Sequence, residues 1–278
     1  MKGTIKTLIL FSLISLFKTN LLAQTTLSTT ITINQNWVNT NSGPWTISGS
    51  NITVTFGENL TISNLLQNFI ILGSNVTING ANKIITIDGL TNFSGLIDAS
   101  NTNASSAEIK NIGVETVNSS STGGNSGYIS KASNKATISN CYATGLIRNY
   151  NSGGITGDYN SGLIRNCYTT GDLSDYTGGI VGPYNSGIVT NCYTTGFIHG
   201  STAGGIAGHN SSGIIRNCYT TGRIGAGSGE AGIVFNTINN GIIDRCLSTG
   251  VTWTGNEVGI SRSPSTNSIG LGTGAPWN

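Results

Sequence analysis

Ile164-Arg165-Asn166-Cys167-Tyr168-Thr169-Thr170-Gly171 decides the fold, because the same eight positions return along the chain. They recur as Ile138-Ser139-Asn140-Cys141-Tyr142-Ala143-Thr144-Gly145, Val189-Thr190-Asn191-Cys192-Tyr193-Thr194-Thr195-Gly196 and Ile215-Arg216-Asn217-Cys218-Tyr219-Thr220-Thr221-Gly222. A degraded copy, Ile243-Asp244-Arg245-Cys246-Leu247-Ser248-Thr249-Gly250, follows. The cysteines are therefore spaced by 26, 25, 26 and 28 residues. A near-constant period of this length is the signature of stacked supersecondary units.

A second phrase falls between these copies: Gly153-Gly154-Ile155-Thr156-Gly157, Gly178-Gly179-Ile180-Val181-Gly182 and Gly204-Gly205-Ile206-Ala207-Gly208. Ala231-Gly232-Ile233-Val234 and Val258-Gly259-Ile260 read as its decayed descendants. Upstream, Ile109-Lys110-Asn111-Ile112 carries Ile where the later copies carry Cys, which predicts a buried column, since both residue types favour interiors. Each period holds two or three short β-branched runs divided by Gly, Asn and Ser, too short for helices. One such period cannot bury its own apolar face, so neighbours must stack at the spacing of hydrogen-bonded strands, about 4.8 Å. The prediction is an all-β chain: a right-handed, single-stranded parallel β-helix with coils of about 25 residues.

Residues 25–105 show shorter alternating runs, Ile31-Thr32-Ile33, Ile52-Thr53-Val54, Leu60-Thr61-Ile62, Val76-Thr77-Ile78 and Ile84-Ile85-Thr86-Ile87. Alternation with Thr predicts half-buried strands, punctuated by turns at Gly43-Pro44 and Asn79-Gly80. The expected organisation is a leader over 1–23, irregular coils and a cap over 24–106, the regular repeats over 107–260, and a tail or second cap over 261–278. Trp37 and Trp45 are expected to belong to the amino-terminal cap.

The leader is read from Lys2 and Lys6 ahead of an apolar stretch from Leu8 to Phe17, then Leu21-Leu22-Ala23 before Gln24, a cleavage-site pattern. The apolar run is too short to span a bilayer core of about 30 Å, so the mature chain is expected to be secreted or held at the cell surface without a membrane span. Of the 278 residues 9% are charged and the formal net charge is +2, which leaves no electrostatic footprint for nucleic acid.

The combination Gly-Gly-Ile-Val-Gly, Asn-Ser-Gly-x-Ile and Asn-Cys-Tyr-x-Thr-Gly resembles the GLUG repeat of bacterial surface and adhesin-like proteins, over residues 107–260 and best over 151–223. That resemblance implies a parallel β-helix on an extracellular protein, serving as stalk or passenger structure without a common active site. Arg245 departs from it where the other copies carry Asn.

Stacking converts each repeated position into a column. Asn140, Asn166, Asn191 and Asn217 are expected to form a structural amide ladder at a turn. Cys141, Cys167, Cys192, Cys218 and Cys246 are expected as buried free thiols: parallel Cβ atoms about 4.8 Å apart lie beyond the reach of an unstrained disulfide. Ligands in a straight line cannot surround a tetrahedral zinc ion either. Tyr142, Tyr168, Tyr193 and Tyr219 should face outward as an aromatic ladder, either a platform for sugar rings or a purely structural stack. Thr170, Thr195 and Thr221 fall on the same outer face, a single Thr column that an ice-binding array would require in pairs.

Catalysis needs convergent titrating groups, and the acids are scattered. Asp158 and His209 take equivalent places two coils apart, roughly 10 Å, with Pro183 between, too wide for a dyad. Asp172 and Asp175 flank one loop, but the next repeat has Phe197 and Gly200 there, so no calcium-binding repeat is read. Arg216 and Asp244 are expected to form a surface ion pair. No cofactor or metal is expected. The reading is a noncatalytic surface or structural protein that binds a polysaccharide or a cell-surface protein. The alternatives are a lyase, hydrolase or epimerase acting on polysaccharide and, least favoured, ice binding.

Overall fold

The computed structural model describes residues 25–225, 230–250 and the strand at 269–270. The expected leader and most of the carboxyl-terminal tail, with the Val258-Gly259-Ile260 phrase, lie outside the described residues. The strands in chain order are β1 (Thr26–Leu27), β2 (Ile31–Ile33), β3 (Trp45–Ile47), β4 (Thr53–Phe56), β5 (Leu60–Ile62), β6 (Phe69–Ile71), β7 (Thr77–Asp88), β8 (Ile97–Asp98) and β9 (Glu108–Val117). Then follow β10 (Thr137–Ser139), β11 (Tyr142–Ala143), β12 (Leu163–Arg165), β13 (Tyr168–Thr169), β14 (Ile188–Thr190), β15 (Tyr193–Thr194), β16 (Ile214–Arg216), β17 (Tyr219–Thr220), β18 (Ile242–Asp244), β19 (Leu247–Ser248) and β20 (Ile269–Gly270). All strand pairs are parallel, as expected of a β-helix.

Three faces run along the solenoid. The first stacks β2-β4-β7-β9-β10-β12-β14-β16-β18, and the second stacks β5-β7-β9-β11-β13-β15-β17-β19-β20. They join because β7 and β9 turn the corner and contribute to both. The third begins as β1-β3-β6-β8 and continues as single bridges, Ile97 to Ser130, Thr156, Val181, Ala207 and Val234 in turn.

Register along the first face gives coil lengths directly. Ile138 pairs with Ile164, Ile164 with Val189, and Val189 with Ile215, steps of 26, 25 and 26 residues. Earlier steps are 23 and 24 residues, Ile31 to Val54 to Ile78, and then 31 from Ile78 to Ile109, where a 3-10 turn at Thr102–Ser106 takes up the excess. The last is 28, from Ile215 to Ile243. Like positions of successive repeats are thus hydrogen-bonded neighbours.

The core is the inside of this stack. Ile109, Ile138, Ile164, Val189, Ile215 and Ile243 form one continuous buried column. Ile155, Ile180, Ile206 and Ile233, from the Gly-Gly-Ile phrase, are buried on the third side. Burial of this kind stabilises by about 25 cal/mol per Å² of apolar surface, and every coil depends on its neighbours to complete it.

Two local expectations change. Asn79-Gly80 lies inside β7, with Asn79 still paired to Thr55 and Lys110; the bend comes one residue later, where Ala81 and Asn82 adopt φ of 50° and 59°. Trp45 belongs to the core, fully buried in β3, its ring 4.9 Å from Phe69 and 5.2 Å from Trp37. Trp37 sits on the short helix α1 (Gln35–Thr40). The Gln35 side-chain amide accepts from Thr61 N at 2.6 Å and donates to Thr61 O at 3.2 Å, pairing with the edge of β5 as a neighbouring strand would. An unpaired sheet edge is a template for aggregation, and this contact closes it.

Candidate functional site

The corner between the first two faces is made by one residue per coil. Asn111, Asn140, Asn166, Asn191 and Asn217 adopt φ of 57°, 54°, 54°, 54° and 51°, and Arg245 follows at 50°. Asn tolerates this left-handed geometry better than other non-glycine residues, so the repeated Asn is a backbone requirement first. The last coil keeps the corner although Arg replaces Asn. The side-chain amides also form a ladder: Asn140 donates to Asn111 at 3.3 Å, Asn166 to Asn140 at 3.2 Å and Asn191 to Asn166 at 3.4 Å. This ladder is solvent-exposed.

The next residue turns inward. Cys141, Cys167, Cys192, Cys218 and Cys246 are buried and in the thiol form. Each donates to the carbonyl two residues earlier, Ser139, Arg165, Thr190, Arg216 and Asp244, at 3.2–3.4 Å. Burial holds the Cys167 and Cys192 thiols well above the ordinary range, and the neighbouring thiol of the preceding coil adds to it. These groups stay protonated and unreactive.

The residue after that faces out. Tyr142, Tyr168, Tyr193 and Tyr219 stack with centroids 5.0, 4.9 and 4.9 Å apart and planes within 5–7° of parallel. The stack is closed at both ends: a Cβ on Gly113 would lie 2.4 Å from the Tyr142 ring, and Leu247 pairs with Tyr219 at the far end. The ring faces are spent on one another, so the ladder offers solvent its edges and hydroxyls. Tyr142 donates its hydroxyl to Glu115 at 3.0 Å, and burial together with that carboxylate pushes it up to about 12.

Two residues beyond each Tyr comes an exposed Thr: Thr144, Thr170, Thr195 and Thr221. The Thr between, at 169 and 194, is buried and donates to Gly179 O at 2.8 Å and Gly205 O at 2.9 Å. The outer face thus carries a Tyr row and one Thr row separated by an inward-pointing residue, the arrangement that alternation in a strand dictates.

Three of the acids are committed elsewhere. Asp172 and Asp175 accept from the backbone N–H of Phe197 at 2.9 Å and Ser201 at 2.7 Å, tying one coil to the next. Asp244 pairs with Arg245 at 3.1 Å and not with Arg216, although Arg216 is its register partner; a near neighbour in sequence reaches the carboxylate first. Among the described residues no three His, Cys, Asp or Glu side chains form a metal-binding group.

Two features escape the sequence reading. A second, fully buried amide ladder runs from Asn134 through Asn160 and Asn185 to Ser211, at 2.9, 2.8 and 3.3 Å. Its signal was present in the recurring Asn-Ser-Gly. The other is a pair of aromatic stacks, Tyr150 on Tyr176 and Tyr159 on Tyr184, with His209 edge-on to Tyr176 and Tyr184. No repeated motif contains it, because it occupies only two or three coils.

Compared with known proteins, residues 199–225 match the family pattern of the GLUG motif. No curated protein and no solved structure gives a significant match. In the solenoid this segment is one complete turn, since Ile198, one residue before it, and Ile224, near its end, are bridged neighbours. The recurring Gly-Gly-Ile, Asn-Ser-Gly and Asn-Cys-Tyr phrases extend the same turn to the coils beside it. The chain is a parallel β-helix repeat protein that carries the GLUG motif.

Proposed function

We propose that the chain is an exported, noncatalytic β-helix that binds an extended polysaccharide along its second face, as a surface or adhesion protein. The observation that carries the reading is the uninterrupted row of Tyr142, Tyr168, Tyr193 and Tyr219 beside the exposed row of Thr170, Thr195 and Thr221. Both rows repeat at the coil spacing, and both offer hydroxyl groups. An extended sugar chain lying parallel to the solenoid axis presents its own hydroxyls at a regular repeat, so one modest hydrogen bond can be made many times. Many weak contacts at fixed spacing give strong retention on a long polymer. Export is supported by the leader pattern over residues 1–23.

The test is binding of the full mature chain to arrayed neutral and acidic glycans, with Tyr168→Phe and Tyr193→Phe as variants that keep the stack and delete hydroxyls. Loss of about tenfold or more in affinity supports the reading. Unchanged binding in both variants, or no retained glycan at any salt concentration, removes the polysaccharide role. Release of shortened oligosaccharides would favour the enzyme alternative.

A further inference from the structure

From residue 126 on, the third side of the coil contains an inward turn, built on Gly127-Tyr128-Ile129 and then on the Gly-Gly-Ile phrase. In the coil at 126–131, Gly127 N donates to Ser130 O at 2.9 Å and Ser126 pairs antiparallel with Lys131, while Ile129 at the tip is buried. This turn pinches the chain, so the corner before it and the corner after it come together. A Cβ on Gly182 would lie 2.5 Å from Asn151 O on the first corner and 2.9 Å from Asp158 N on the second.

Both corners demand left-handed backbone. On the first, the residues are Asn125, Asn151, Tyr176 and Thr202, and on the second Ser133, Tyr159, Tyr184 and Asn210, with φ between 54° and 63° in all eight. A bulky side chain there is strained by roughly 1–2 kcal/mol, whereas Asn is not. Tyr at three of these eight positions is therefore not what the backbone asks for. Strain of this kind, kept where an easier residue occupies the equivalent place one coil away, points to a use for the ring.

The rings are arranged in two short stacks. Tyr150 lies on Tyr176 at 4.8 Å, and Tyr159 on Tyr184 at 4.9 Å. His209 joins them, its ring edge-on to Tyr176 at 5.9 Å and to Tyr184 at 5.2 Å. In contrast to the long ladder, each stack ends in an open ring, Tyr150 being 65% and Tyr159 54% exposed. Between the corners Asp158 is 1% exposed; its Oδ2 accepts from Asn125 at 3.0 Å, and its Oδ1 has no partner. The buried Nδ1 of His209 has none either. Unpaired buried polar atoms are rare, and the one on Asp158 lies in the same coil as the open rings of Tyr150 and Tyr159.

We infer that this edge of the solenoid is a second binding site, which takes a neutral pyranose unit of a glycan. The apolar face of the sugar packs on the open rings of Tyr150 and Tyr159, as amphipathic Tyr is suited to do, while the phenol groups meet its hydroxyls. The carboxylate at the base disfavours an anionic sugar. Burial holds His209, further along the same edge, towards its neutral form. The site is local, a few coils wide, and so recognises a short unit and not polymer length.

The experiment is titration of the full mature chain with cellohexaose, mannohexaose and laminarihexaose, followed by the tyrosine ring resonances. The variants are Tyr150→Ala, Tyr159→Asn and, as control, Tyr193→Phe on the long ladder. One of the neutral probes is expected to shift the Tyr150 and Tyr159 rings, with affinity falling about tenfold or more in each corner variant and unchanged in the control. Tyr159→Asn restores the residue type that the backbone accepts, so its melting temperature should not fall, which separates lost binding from lost folding. Binding unchanged in both corner variants, or no binding of the three probes, overturns the site. Binding lost only in Tyr193→Phe overturns it while supporting the long-ladder reading. Binding by acidic glycans alone does the same for this site and leaves the first open.

Discussion

Asn134 donates its side-chain amide to Asn160 Oδ1 at 2.9 Å across one coil step, with both residues wholly shielded from solvent. Asn160 passes the pattern on to Asn185 at 2.8 Å and also donates to Gly162 O at 3.2 Å. An amide with such partners on both sides is satisfied only while the coils keep their register, so the ladder links polar pairing to the stacking of the whole solenoid.

Asn160→Ala should therefore destabilise by about 2–4 kcal/mol, because it strands the amide of Asn134 and the oxygen of Asn185 in the core. Asn166→Gly, at the exposed corner ladder, should change stability by no more than about 0.5 kcal/mol, since Gly accepts the left-handed backbone. Denaturant unfolding of the two variants decides the matter: equal losses would mean that the inner ladder has no special weight.

Gly179 admits no side chain, because its Cβ would lie 1.9 Å from Gly205 O and 2.4 Å from Thr194 Cγ2. Gly89 has φ of +68°, and a methyl group added there would meet nothing within 4 Å. Gly179→Ala is expected to cost about 3 kcal/mol or more, or to prevent folding, through displacement of two coils. Gly89→Ala should cost only the left-handed strain of about 1 kcal/mol. Thermal unfolding of both, with yield of folded chain as a second readout, checks the contrast, and a tolerated Gly179→Ala contradicts the close packing of the third side.

All five thiols should be silent to a water-soluble aromatic disulfide reagent in the native chain up to pH 9, and all five should react on unfolding. Burial of all five gives the first result, reinforced at Cys167, Cys192, Cys218 and Cys246 by thiols held above their ordinary range, and the thiol form of the whole column gives the second. Fewer than five reactive thiols after denaturation without reductant would reveal disulfides within the column.

Asp158 has its carboxyl raised to about 6 by burial, against 3.8 unperturbed. A proton is therefore held more tightly in the folded chain than in the unfolded one. Stability contributed by this group is fully present below about pH 4 and declines as pH rises from 4 to 6, then stays level. Asp158→Asn, which can still accept from Asn125, should remove that slope and stabilise at pH 7–8 by on the order of 1–2 kcal/mol, allowing for solvent near the corner. Melting temperatures of the two proteins across pH 4–8 test it, and parallel curves would mean that Asp158 ionises as freely as an exposed carboxylate.

The period, the parallel stacking and the inward or outward sense of the Cys, Tyr and Thr columns were legible in the chain, because a repeat of about 25 residues forces like positions into adjacent strands and side chains alternate along each strand. Ile112 standing in for Cys already implied an interior position, and it is buried. What the sequence could not supply was how non-equivalent positions meet. The pinch at Gly-Gly-Ile brings Tyr150, Asp158 and His209 to one edge although no motif joins them. Gln35 reaches Thr61 only because a helix takes the place of a strand at the end of the second face. Periodicity reports contacts between copies of one position; contacts between different positions depend on where the backbone bends, and that was decided by packing around the tertiary core.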